Sequence, residues 1–184
     1  MALQYLTHPS VIPTFQDEII EALVKHPKDN DMSLALVYYH TVQPTLTSST
    51  ALESLFTAIA KTSTTEAFYF SRAQPEYSQR HMFEELITLV LNNSQKDTIA
   101  DRSVELVNLP MTQDEEAWFN EYLLHGEGRS IRKAKDTVMM RRIGTGKFTD
   151  SLSLDGMNAR PIAGLDWPTL TGAVEDGLGP RLHA

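Results

Sequence analysis

All nine glycines of this 184-residue chain lie between Gly126 and Gly179, so the first 125 residues contain none. A fold built from β-hairpins draws on glycine at many of its tight turns, because the commonest two-residue turns require positive φ. Its absence over most of the chain argues against a hairpin-built sheet and for helices. Six prolines punctuate that stretch instead: Pro9, Pro13, Pro27, Pro44, Pro75 and Pro110. Proline is tolerated at or before a helix start and breaks a helix interior, so these positions mark boundaries.

Between the breaks, apolar residues recur at helical spacing. A short helix is expected over 3–8. Thr14 is positioned to cap a second, with Phe15, Ile19, Ile20, Leu23 and Val24 on one face. Asp31 or Ser33 starts a third, running to about Val42. Ser48 or Ser49 caps a fourth, with Leu52, Leu55, Phe56 and Ile59 in register. A fifth opens at Thr64-Thr65-Glu66-Ala67. Pro75 and Ser78 precede a sixth carrying Phe83, Leu86, Ile87 and Val90, and a seventh covers about Thr98 to Val107. Thr112-Gln113-Asp114-Glu115 has the form of a capping box, in which the first and last side chains bond each other's backbone N–H. Trp118, Phe119, Tyr122 and Leu123 follow as a stripe, which Gly126 and Gly128 terminate. A last helix is expected from about Ser130 to Ile143, stopping at Gly144.

The implied fold is all-α: an irregular α-solenoid or stacked array of about eight to nine helices with antiparallel neighbours. No strict repeat period is visible. A helical domain is expected over 1–148. Residues 149–184, with five glycines, three prolines and no periodic face, are expected to form a flexible tail.

Function classes narrow quickly. The chain has no cysteine, which removes disulfides, thiolate metal sites and cysteine nucleophiles, and fits a reducing compartment such as cytosol or nucleus. No run of eighteen apolar residues suggests a membrane span, and the N-terminus lacks the form of a signal peptide. Gly144-Thr145-Gly146-Lys147 resembles the end of a phosphate loop, but that loop needs glycine at position 141 and a hydroxyl residue at 148, where Arg141 and Phe148 stand. Gly126-Glu127-Gly128 resembles the start of a dinucleotide fingerprint, but Ile131 occupies the third glycine position. Both read better as helix ends. The six histidines show no metal-ligand spacing, and Glu84-Glu85 and Glu115-Glu116 are adjacent carboxylates that a helix points about 100° apart. Neither a catalytic constellation nor a cofactor is expected.

Charge is divided. Residues 1–128 carry 7 Lys and Arg against 18 Asp and Glu, a balance of −11, while 129–184 carry 9 against 6, a balance of +3. The basic run Arg129, Arg132, Lys133, Lys135, Arg141, Arg142 and Lys147 has two readings. It neutralises the acidic body and the C-terminal end of its own helix, or it docks an acidic partner. The docking candidates are Arg129, Arg132, Lys133, Arg141 and Arg142, with Trp167 as a lone aromatic anchor in the tail. Nucleic acid is not an expected partner, because aromatic stacking residues are not interleaved with the basic ones.

Several blocks, in order, resemble the ELYS-like domain of nuclear pore assembly proteins, particularly the shorter fungal type. They are Ala2-Leu3-Gln4-Tyr5-Leu6-Thr7-His8-Pro9; Ala35-Leu36-Val37-Tyr38-Tyr39 with Gln43-Pro44; and Glu66-Ala67-Phe68-Tyr69-Phe70-Ser71-Arg72. Leu109-Pro110, Glu115-Glu116 and Tyr122-Leu123-Leu124 with Gly126-Glu127-Gly128 come next. Ala134-Lys135-Asp136-Thr137 and Arg141-Arg142-Ile143 with Thr145-Gly146 complete the set, so the resemblance runs over about residues 3–148. It implies a helical array without catalysis, attachment to scaffold nucleoporins of the Y-shaped complex, and a place at the nuclear envelope without membrane insertion or a small-molecule substrate. Long members of the family also have a β-propeller, for which this chain has no room, and a tail with AT-hooks. The tail here has only Ala159-Arg160-Pro161 in place of an Arg-Gly-Arg-Pro core. A general helical adaptor that binds peptides and a chromatin-binding module are the competing readings.

Overall fold

A computed structural model describes residues 2–8, 14–26, 29, 32–93, 97–147, 150, 172 and 176. Most of the expected tail, Trp167 included, lies outside the described residues. Nine α-helices and one 3-10 helix occur among the described residues, and no strand does. The helices are α1 (Ala2–Leu6), α2 (Gln16–Val24), α3 (Ser33–Val42), α4 (Ser49–Thr62), α5 (Thr64–Arg72), α6 (Glu76–Asn93), α7 (Ile99–Val107), α8 (Gln113–Leu124) and α9 (Ala134–Gly144), with the 3-10 turn at Glu127–Ser130. This is the helical array that the glycine and proline pattern implied.

The chain forms two compact units, Met1–Leu106 and Val107–Ala184. The first is organised around α4, which packs against α2, α3, α5 and α6. Its residues Ala51, Leu55, Phe56, Ala58, Ile59 and Ala60 are all buried. Alanine on several sides lets neighbouring helices approach closely while Leu55, Phe56 and Ile59 fill the space between them. Phe68 of α5 meets Phe83 of α6 with ring centroids 5.7 Å apart, and the Arg72 guanidinium lies 4.3 Å from the Phe68 ring. Burying such rings supplies most of the driving force for docking the helices.

Helices α3 and α5 begin at Ser33 and Thr64 as expected, with Ser63 capping α5 through the Glu66 N–H at 3.1 Å, but the caps of α2 and α4 differ from their local expectations. Thr14 does not cap α2; Phe15 holds the cap position and makes no side-chain cap bond. The third helix is capped from Asp29, whose carboxylate accepts from the Ser33 and Leu34 N–H groups at 3.1 and 2.7 Å. At α4, Ser48 makes no side-chain cap bond to the helix. Asp17, on α2, instead takes the N–H groups of Thr47 and Ser48 and the Thr47 hydroxyl. Glu105 accepts the N–H and hydroxyl of Thr65 in the first turn of α5. A helix start exposes N–H groups without intrahelical partners, and a carboxylate is the strongest neutral-pH acceptor for them. Asp17 and Glu105 arrive from other helices, whereas Asp29 comes from the segment just before α3.

Candidate functional site

The basic segment belongs to the second unit, and its geometry begins with α8. Thr112 and Glu115 form the reciprocal capping box that their spacing implies. That fixes the start of α8 and turns Phe119 and Leu123 inward, where both are fully buried. At the other end, the His125 and Gly126 N–H groups both donate to the Glu121 carbonyl. Gly126 is not left-handed here; its φ is −85°. Gly126 and Gly128 are instead required by close approach to Tyr122. A Cβ on Gly128 would lie 2.6 Å from the Tyr122 ring, and one on Gly126 would lie 3.1 Å from the Tyr122 backbone.

The expected helix from Ser130 therefore starts later. The 3-10 turn carries Arg129, Ile131 is buried, and Arg132 and Lys133 stand exposed on the turn before α9. Ala134, Thr137, Val138 and Arg141 form the buried stripe of α9. The helix closes as a Schellman motif, with Gly146 at φ 77°. Its N–H donates to the Ile143 carbonyl and the Lys147 N–H to the Arg142 carbonyl. The phosphate-loop look-alike is thus the helix terminus expected of it, with Gly146 as the left-handed residue.

Arg141 is a correction to the docking set. It is 8% exposed. Its Nη1 donates to the carbonyls of Val107 and Leu109 at 2.7 and 2.6 Å, and its Nε and Nη2 donate to one oxygen of Glu116 at 3.1 and 3.0 Å. The other Glu116 oxygen accepts from the Lys147 ammonium, which the Schellman turn brings back beside α8. The hydrogen bond from Lys147, followed by those from Arg141, holds the Glu116 carboxyl below the ordinary range against the opposing effect of burial. A guanidinium has five N–H donors and makes four bonds here, one more than the three donors of an ammonium allow. Helical spacing puts residues 134, 138 and 141 on one face and Arg142 about 100° away, but packing decides which face turns inward.

Arg142 is half-buried and donates to the Asp150 carbonyl at 2.6 Å. A polar cleft of about 310 Å³ opens among Glu116, Asn120, Arg141, Arg142, Thr145 and Lys147, already lined by these internal ion pairs. Of the expected docking residues, Arg129, Arg132 and Lys133 are exposed within five positions of one another. Sequence reasoning did not find a second feature, a groove of about 570 Å³ in the first unit between the start of α4 and the start of α6. Its lining residues are scattered over 46–53 and 74–82, with no local motif to join them. Among the described residues no helix is long and apolar enough to cross a membrane.

A family model described as ELYS, nuclear pore complex assembly, matches residues 1–126. No curated protein and no solved structure matches the chain. The matched region takes in the first unit and all of α8, and it ends before the 3-10 turn and α9.

Proposed function

This chain belongs to the ELYS family of nuclear pore complex assembly proteins, and from that premise we propose that it is a non-catalytic structural component that docks onto the Y-shaped scaffold complex of the pore. The observation that carries this reading is the family match over residues 1–126 of 184. The family's tie to pore assembly is consistent with a nuclear protein that has nucleoporin partners.

The exposed trio Arg129, Arg132 and Lys133 supports a docking role beside that matched region. Their charge raises the rate of encounter with an acidic partner surface, while buried contacts elsewhere supply most of the affinity. The second unit lends rigidity to the trio, because the Arg141 clamp fixes α9 against α8. Affinity capture of a tagged chain from nuclear extract tests the reading. Scaffold nucleoporins are expected with the native chain, in smaller amount with the triple substitution Arg129→Glu, Arg132→Glu and Lys133→Glu. The tagged protein is expected at a punctate nuclear rim. Recovery of no scaffold nucleoporin by the native chain would overturn it.

A further inference from the structure

The groove in the first unit is a preformed site with no role in the reading above. Leu46, Leu52, Pro75, Tyr77 and Met82 are its apolar lining. Met82 is buried, while Tyr77, in the first turn of α6, is 88% exposed. An aromatic ring standing almost wholly in water beside an apolar hollow is poorly placed for stability and well placed for a partner.

Both rims are fixed by hydrogen bonds. On one side, Gln16 accepts the Thr45 N–H at 2.6 Å, Asp17 holds Thr47 and Ser48, and the Thr50 hydroxyl donates to Glu21 at 2.7 Å. On the other side, the Gln79 amide donates to the carbonyls of Arg72 and Gln74, and the Ser78 hydroxyl to that of Pro75. A groove whose walls are already held in place loses little conformational freedom when it is filled.

Charge selects among occupants. Residues 1–106 carry 7 Lys and Arg against 13 Asp and Glu, so phosphate-bearing or acidic ligands are repelled. Exposed Glu53 lines the groove together with His81. Glu85, one helical turn beyond His81, is half-buried. Burial holds its carboxyl above the ordinary range; nearby Glu53 adds to the effect and His81 opposes it. Glu53 is thus the carboxylate on the groove lining, and with the acidic balance of this unit it favours a cation over an anion there.

We propose that this groove receives a short segment of another protein that carries an apolar anchor and, a few residues away, a lysine or arginine. The anchor lies on Leu52 and Met82 against the Tyr77 ring, and the basic side chain reaches Glu53. This inference does not depend on the scaffold reading, because the binding is tested on the purified full-length chain.

The test is display of random dodecapeptides against that chain, followed by fluorescence anisotropy with the enriched peptides labelled. The enriched peptides are expected to pair an aliphatic or aromatic residue with a nearby Lys or Arg. Tyr77→Ala weakens them about tenfold. Because Tyr77 is solvent-exposed, that variant keeps the native circular dichroism and melting curve. Glu53→Lys weakens the basic peptides and leaves unchanged the affinity of versions in which the basic residue is replaced by norleucine. Failure to enrich any peptide overturns the proposal. So does enrichment without a basic residue, or binding indifferent to both Tyr77→Ala and Glu53→Lys.

Discussion

The two units meet the same physical requirement with opposite charges. In the first, helix starts leave N–H groups without partners, and carboxylates from elsewhere in the unit take them: Asp17 before α4 and Glu105 at α5. In the second, the bend before α8 leaves the carbonyls of Val107 and Leu109, and a guanidinium takes them. The first unit surrounds these bonds with a broad apolar core that includes Tyr38, Phe56, Phe68 and Phe83, whereas among the described residues the second buries one aromatic ring, Phe119, with Val107, Leu109, Leu123, Ile131, Ala134 and Val138. With fewer large side chains among its described core residues, the second unit leans more on a single polar residue. The uneven charge of the chain is therefore partly internal: acidic residues brace the first unit, and one arginine of the basic run braces the second.

The largest effect expected from this comparison is at Arg141. Arg141→Met removes two hydrogen bonds from Glu116 and one each from the Val107 and Leu109 carbonyls, at a cost of about 3 kcal/mol. Hydrogen exchange is expected to show loss of protection in α8 and α9 with the first unit little changed. Equal loss in both units would break the distinction between them. Next is Gly128→Ala, where the added methyl meets the Tyr122 ring and backbone; overpacking costs about 2 kcal/mol. Urea denaturation measures it, and Gly144→Ala, whose Cβ meets nothing within 4 Å, is the control.

Removing the borrowed cap in the first unit with Glu105→Ala is a smaller change, about 1 kcal/mol, because water can reach the freed N–H group. Its effect should appear as fraying of α5 in hydrogen exchange. The smallest effect is in acid. Glu116 is held below its ordinary range in the folded chain, so its contribution is present above the unfolded value and disappears as pH falls through the lowered folded value. Glu105 follows the same sign: burial pushes its carboxyl up, and the hydrogen bonds from Thr65 and Thr64 together outweigh that. Glu85, held above its range, has the opposite sign and gains stability as pH falls. Melting temperature against pH is expected to fall at the acid end, and Glu116→Gln to flatten that fall.

The element pattern was legible because it is local. Glycine absence, proline punctuation and apolar spacing placed the nine α-helices found among the described residues, and Thr112 with Glu115 gave the reciprocal capping box. The caps assigned to Thr14 and Ser48 were not legible. A nearby hydroxyl is only one competitor for a free N–H group, and a carboxylate 30 residues away can be delivered by packing. Arg141 and Arg142 looked alike as a basic pair at a helix end, yet one is buried and the other half-exposed. The groove had no local signature, since α4 and α6 are brought together by their buried faces and not by the residues that line it.

By itself, then, the sequence determined the helical content, the breaks, one capping box and the family resemblance, since each depends on residues close together in the chain or on their order along it. Tertiary structure alone decided which charged groups turn inward, what closes each helix end, and where a groove remains open. Those outcomes depend on which helix faces meet, and a carboxylate or guanidinium goes to the nearest unpaired backbone group in space, however distant in sequence.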